Sequence, residues 1–136
     1  DDIIPVTDNT SLYMRISTVG GIQSGAADYG WFYKTVVLDP PTYEDTQYDS
    51  SDSLIALTTY LTTGTNQKMG NGTGEALSGE VLIINPSSTA AYHLLKSDIW
   101  LRNSDFGDLT RNEGLGQYKH TTAVTGFSFY ASSGNL

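Results

Sequence analysis

Apolar and polar residues alternate along much of this chain, the period of a strand that buries one face. Residues 11–17 place Leu12, Met14 and Ile16 on one side of an extended backbone, with Tyr13 and Arg15 on the other. Glycine-rich residues 19–22 then turn the chain. Residues 28–38 form a long strand candidate in which Tyr29, Trp31 and Tyr33 share a face opposite Phe32 and Lys34. Pro40 and Pro41 stop it, because a proline donates no ladder hydrogen bond. Residues 53–61 return to strand, with Ile55, Leu57 and Leu61 opposite Ala56, Thr58 and Tyr60.

The strongest signal lies at 75–85, where Leu77, Val81 and Ile83 face one way and Leu82 and Ile84 the other. A strand apolar on both faces is expected in the middle of a sheet. Residues 91–102 follow, with Leu95, Ile99 and Leu101 opposite Leu94 and Trp100, and 117–130 supply one or two last strands. Three stretches carry no such rhythm and read as loops: acidic 43–53 (a loop or short edge element), glycine-rich 62–74, and 103–116. Short strands between Gly, Ser, Asn and Asp clusters predict a single all-β domain over 1–136. The form expected is an antiparallel, jelly-roll-like β-sandwich of about seven to eight strands, with no helix beyond about two turns.

Composition narrows the chemistry. Fifteen acids against seven bases give a net charge of −8, which argues against nucleic acid as a partner, since phosphate binding needs a basic surface. With no cysteine there is no disulfide framework, thiolate metal site or cysteine nucleophile. No apolar run approaches the roughly 20 residues of a membrane helix, so membrane insertion is not expected.

Each constellation of reactive residues has a plainer reading. Glu44, Asp45, Asp49 and Asp52 lie close together and invite comparison with paired glycosidase carboxylates or a calcium site. They lack EF-hand spacing, and an acidic loop is ordinarily just solvated; Asp98, Asp105 and Asp108 take the same discount. His93 and His120 are too isolated for a histidine metal site. No Gly-x-Ser-x-Gly elbow accompanies them. Residues 70–74 match a phosphate loop only in composition, without the Lys-Ser/Thr ending. Neither a catalytic residue, a metal nor a cofactor is expected. Tyr13, Tyr43, Tyr48 and Tyr60 are a surplus suited to interfaces or sugar stacking, since tyrosine offers flat area with a polar tip. Tyr43, Tyr48 and Asn71 are the candidate surface contacts, whereas Trp31 and Trp100 are expected as core anchors.

The chain begins Asp1-Asp2 without an initiator Met and ends in a strand, Phe127 to Tyr130, followed by turn residues Ser132 to Asn135. Both ends predict a segment of a longer polypeptide, or a processed product. Three stretches in order resemble a β-sandwich domain of tailed-bacteriophage virion proteins, of the tail-fibre or surface-appendage type. The first runs from Pro5-Val-Thr-Asp8 and Leu12-Tyr-Met-Arg-Ile-Ser17 through Gly20-Gly21 and Ser24-Gly25 to Asp28-Tyr29-Gly30-Trp31. The second is Gly74-Glu75 with Ser78-Gly-Glu-Val-Leu82, leading into Asn85-Pro-Ser-Ser-Thr-Ala90. The third is Thr125-Gly-Phe-Ser-Phe-Tyr-Ala-Ser-Ser-Gly-Asn135.

The likeness is weakest over 42–73. It implies a further strand before the Pro5 region and another after the last turn. It also implies a non-enzymatic role on the virion exterior: in a fibre, spike or appendage with a part in host-surface recognition, or else as a capsid decoration or head-fibre protein. The partners implied are copies of itself in a homotrimer and other virion proteins. A carbohydrate-binding module recognising host-surface glycan through Tyr43, Tyr48 and the 70–74 loop is the alternative of a different class.

Overall fold

The computed structural model describes residues 3–38, 43–58, 68–102, 109–134 and 136. Among them there is no helix, and nine strands build two antiparallel sheets that pack as a β-sandwich. The strands are β1 (Leu12–Thr18), β2 (Gly21–Ile22), β3 (Tyr29–Val37), β4 (Tyr43–Asp52), β5 (Ile55–Ala56), β6 (Leu77–Ile84), β7 (His93–Arg102), β8 (Leu109–Tyr118) and β9 (Gly126–Ala131). The larger sheet has the order β4-β3-β8-β7-β6, and in the smaller β1 pairs with β2 and β5 on one side and with β9 on the other. β6, β7 and β8 run as a meander, while the β3–β8 and β1–β9 pairings join segments distant in sequence.

The alternation of β1, β3 and β7 is realised as expected. Leu12, Met14 and Ile16 on β1, Tyr29, Trp31 and Tyr33 on β3, and Leu95, Ile99 and Leu101 on β7 all enter the core. Residues 54–58 are buried throughout, although only Ile55–Ala56 pair as strand; 59–61 of the expected element lie outside the described residues.

Three expectations are corrected, each for a packing reason. Residues 109–116, expected within a loop over 103–116, instead join 117 and 118 in β8, the middle strand of the larger sheet. Its inward row is Thr110, Asn112, Gly114, Gly116 and Tyr118, which reads as polar because large neighbours fill its space. A Cβ on Gly116 would lie 3.0 Å from Ile55 Cδ1, and one on Gly114 3.0 Å from Tyr33 Cβ. The apolar residues Leu109 and Leu115 face outward.

Residues 43–52, expected as a loop or a short edge element, form a full ten-residue edge strand. Its inward row is polar because it meets the polar tips of core aromatics: the Tyr33 hydroxyl donates to Gln47 Oε1 at 2.7 Å, and Trp31 Nε1–H donates to Asp52 Oδ2 at 3.1 Å. Finally, among the described residues β6 is an edge strand and not a central one. Leu77 is buried, but Val81 and Ile83 are half-buried and Leu82 and Ile84 exposed.

Several polar groups inside the sandwich are paired across it, although the Thr110 hydroxyl has no hydrogen-bond partner. Tyr29 OH accepts the Ile16 N–H at 2.9 Å and donates to Gln23 O at 2.9 Å, tying β3 across the core to β1. Thr35 Oγ1 donates to Asn112 Oδ1 at 2.6 Å, and Leu12 N–H donates to Thr58 Oγ1 at 2.8 Å. Such bonds offset the cost of burying polar atoms and pin the two layers in register.

Candidate interaction surface

The outward row of each large-sheet strand follows from the register. Tyr48 lies beside Phe32, Phe32 beside Leu115, Leu115 beside Lys96 and Lys96 beside Leu82. One row along, Gln117 neighbours Leu94, and Leu94 neighbours Ile84. An apolar band therefore crosses all five strands of the larger sheet on its outer face. Phe32, Leu82, Ile84, Leu94 and Leu115 are each roughly 40–60 % exposed within it, and Tyr48 is 73 % exposed. Isolated exposed apolar residues are ordinary on any protein, but a contiguous band of six is not. Above Gly30 the band dips into a shallow trough bordered by Phe32, Tyr48, Leu94, Leu115 and Gln117. Lys119 Nζ, held by Ser50 O, stands at its end.

The other half of the same face is charged. Lys34 pairs with Glu44 at 2.7 Å. Arg111 grips Asp98 through Nε at 2.9 Å and Nη2 at 2.8 Å, meets Glu113 at 2.6 Å, and lies over the Trp100 ring at 4.9 Å from its centroid. The two-pronged Arg111 hydrogen bond holds the Asp98 carboxyl below the ordinary carboxylate range. Trp100, expected in the core, stands on this outer face instead, and only Trp31 is a core anchor. Trp100 faces away because alternation gives the inward places to Ile99 and Leu101.

The candidate contact residues do not converge. Tyr48 projects from the apolar band, and the Tyr43 side chain lies outside the described residues. Asn71 belongs to the segment beside the start of β1, where its amide donates to Val6 O at 3.1 Å and its backbone N–H to Asp8 Oδ1 at 3.4 Å. The 70–74 loop is thus no part of a common platform with Tyr48. Tyr13 packs edge-on against Tyr130 at 5.6 Å, and Tyr60 lies outside the described residues.

The acidic cluster is divided by strand alternation, which turns Glu44 outward and Asp45 and Asp49 inward. Asp45 accepts from Thr46 N–H and Asp49 from Ser51 N–H, both at 2.8 Å, while Asp52 serves Trp31. Asp98 is held by Arg111, whereas Asp105 and Asp108 lie outside the described residues. Among the described residues no three His, Asp or Glu side chains are grouped to hold a metal ion.

The histidines are structural links. His120 pairs with Asp28 at 2.8 Å on the surface. His93 is fully buried, stacked on Tyr118, with Nδ1 3.0 Å from Asn85 O and Nε2 2.9 Å from Thr122 O.

Tyr48 is legible in the sequence as a surface candidate, but the band around it is not. Its signal lay in two strands apolar on both faces, β6 and the Phe32 region of β3. Comparison of the chain with protein-family models, with curated proteins and with solved structures finds no match.

Proposed function

We propose that this chain is a non-enzymatic structural protein of a tailed-phage particle, an acidic β-sandwich carried on the virion exterior in a fibre, spike or appendage. The observation that carries the structural part of this reading is the apolar band of Phe32, Tyr48, Leu82, Ile84, Leu94 and Leu115 across one sheet face. A face of this kind suits association with other copies, and a closed three-fold ring is the arrangement proposed. Covering the exposed part of each side chain contributes on the order of 1 kcal/mol. The commitment of the β4 carboxylates to nearby backbone and indole partners supports a role without catalysis. The phage setting rests on the resemblance of the terminal and central sequence stretches alone.

Light scattering at micromolar concentration tests the association. A trimer mass that falls to monomer in Phe32→Lys and Leu115→Lys, with the wild-type circular dichroism spectrum retained, is expected. A monomeric wild type refutes the trimer. Immuno-gold labelling of particles tests the location: label confined to the icosahedral shell would make the chain a capsid decoration or head-fibre protein.

A second reading has its own observation, the Phe32–Tyr48 neighbours above the trough with Gln117 and Lys119 at its border. Aromatic faces next to hydrogen-bonding groups suit a sugar ring. Binding on a glycan array that is lost in Tyr48→Ala, by a chain that stays monomeric, would favour the carbohydrate-binding module.

A further inference from the structure

Asn71 alone among the asparagines of this sequence is followed by a glycine. With no Cβ beside it, the Gly72 nitrogen can reach the Asn71 side-chain carbon and close a succinimide ring. Both residues are exposed. The nucleophile is nevertheless engaged. Gly72 N–H donates to Glu75 Oε2 at 2.7 Å, and Glu75 N–H donates to Gly72 O at 3.1 Å, so residues 72–75 close into a turn locked from both ends. Gly74, at φ 83°, supplies the left-handed position in that turn. The Glu75 carboxylate also opposes loss of the Gly72 proton, because the amide anion left behind would face a like charge.

The electrophile is engaged as well. Asn71 Nδ2 donates to Val6 O at 3.1 Å, and the Asn71 backbone N–H reaches Asp8 Oδ1 at 3.4 Å. On either side of these bonds lie two backbone bridges. Thr10 N–H donates to Met69 O at 3.2 Å and Met69 N–H to Thr10 O at 2.7 Å; Ile3 and Leu77 exchange bonds of 3.0 and 3.1 Å. Asn71 is thus one of the ties that dock the segment preceding β1 onto residues 69–77.

We propose that Asn71–Gly72 is a self-modification site, restrained by Glu75 and the Val6 carbonyl, whose conversion acts as a one-way latch on the segment preceding β1. When the turn opens, solvent base takes the Gly72 N–H proton and the nitrogen attacks Asn71 Cγ. The Cγ–Nδ2 bond breaks, and Nδ2 leaves with a proton as ammonia. Water then breaks either the new N–Cγ bond, giving aspartate, or the original Asn71–Gly72 peptide bond, giving an isoaspartyl linkage through Cγ. Either product lacks the donor to Val6 O and sets a carboxylate near that carbonyl and Asp8, which disfavours redocking. The isoaspartyl form also lengthens the backbone close to Met69, which is buried in the core. The chemistry needs only water and is independent of the outer-face band and the proposed trimer.

The full chain is incubated in mildly alkaline buffer, and peptide mapping by mass spectrometry follows the amide-to-acid mass gain at Asn71, with enzymatic methylation to detect isoaspartate. Conversion is expected to be slower in the folded chain than in urea. Glu75→Ala, which releases the Gly72 N–H and removes the opposing charge, is expected to convert about tenfold faster than wild type. After conversion, amide hydrogen exchange should quicken at Ile3, Thr10 and Met69 while the β7 amides keep their protection. Asn71→Asp, which carries the product's carboxylate from the outset, should show the same quickening. A Glu75→Ala rate equal to wild type, or conversion as fast in the folded chain as in urea, overturns the restraint. Unchanged exchange at Ile3, Thr10 and Met69 in the converted protein overturns the latch. The comparison with urea uses the wild-type chain alone, so it decides the restraint even if Glu75→Ala does not fold.

Discussion

Replacing His93 with Phe tests whether one buried ring ties two turns together. The imidazole joins Asn85, in the connection after β6, to Thr122, in the connection before β9. Phenylalanine keeps the approximate volume and the stack on Tyr118 but makes neither bond. The Asn85 carbonyl still accepts the Ser88 N–H at 3.0 Å, so its loss is that of one ordinary bond, about 1 kcal/mol. The Thr122 carbonyl loses the imidazole beside the core, which costs about 1–2 kcal/mol. The sum is about 2–3 kcal/mol. With about 2.1 cal/mol/K of unfolding entropy per residue, that lowers the melting temperature by about 7–10 °C.

The two connections also share the Val124 N–H to Pro86 O bond at 2.7 Å, whose exchange should quicken in the variant. Urea unfolding followed by tryptophan fluorescence measures the first effect, and amide exchange the second. His120→Phe, on the surface, is the control and should stay within about 0.5 kcal/mol of wild type. A His93→Phe protein as stable as this control would refute the idea that the ring holds the turns.

Alkaline pH should destabilise the protein through Tyr29. Burial pushes its phenol up to about 12 from 10.0, so its contribution is whole below pH 10 and disappears as pH climbs towards 12. The loss, about 2–3 kcal/mol, is read as a falling urea midpoint, and a midpoint constant from pH 8 to 12 contradicts it. At the acid end Arg111 depresses Asp98, so wild type should exceed Asp98→Asn in stability above the carboxylate range and lose that margin as pH falls. Gly116→Val drives a side chain into Ile55 and should cost about 1–3 kcal/mol by overpacking, measurable by thermal unfolding.

The strands legible in the sequence are those whose inward row is apolar and whose outward row is not. β1, β3 and β7 meet that condition, and the all-β sandwich class follows from them and from the turn residues between them. β4 and β8 escaped notice because alternation is informative only when the inward side chain is itself apolar. On β4 the inward positions carry Gln47 and Asp52, chosen by the hydroxyl of Tyr33 and the indole of Trp31, whose polar tips need partners. On β8 they carry Gly114 and Gly116, because Tyr33 and Ile55 from elsewhere in the chain already fill the space. No local pattern encodes a neighbour from another strand.

The candidate surface divides along the same line. The exposure of Tyr48 and the two-sided apolar character of residues 81–84 were visible from the residues. Whether 81–84 lay at the centre or the edge depended on which strands flanked it, and only the pairing β4-β3-β8-β7-β6 decided that. That order gathers Tyr48, Phe32, Leu115, Leu94, Ile84 and Leu82 from five strands into one band, and among the described residues it puts Val81 and Ile83 on the edge strand of the sheet. Local sequence determines which residues of a strand share a face, because the backbone repeat is two residues. Which strands stand next to one another is set by long-range packing, and the apolar band on the outer face is a product of that choice.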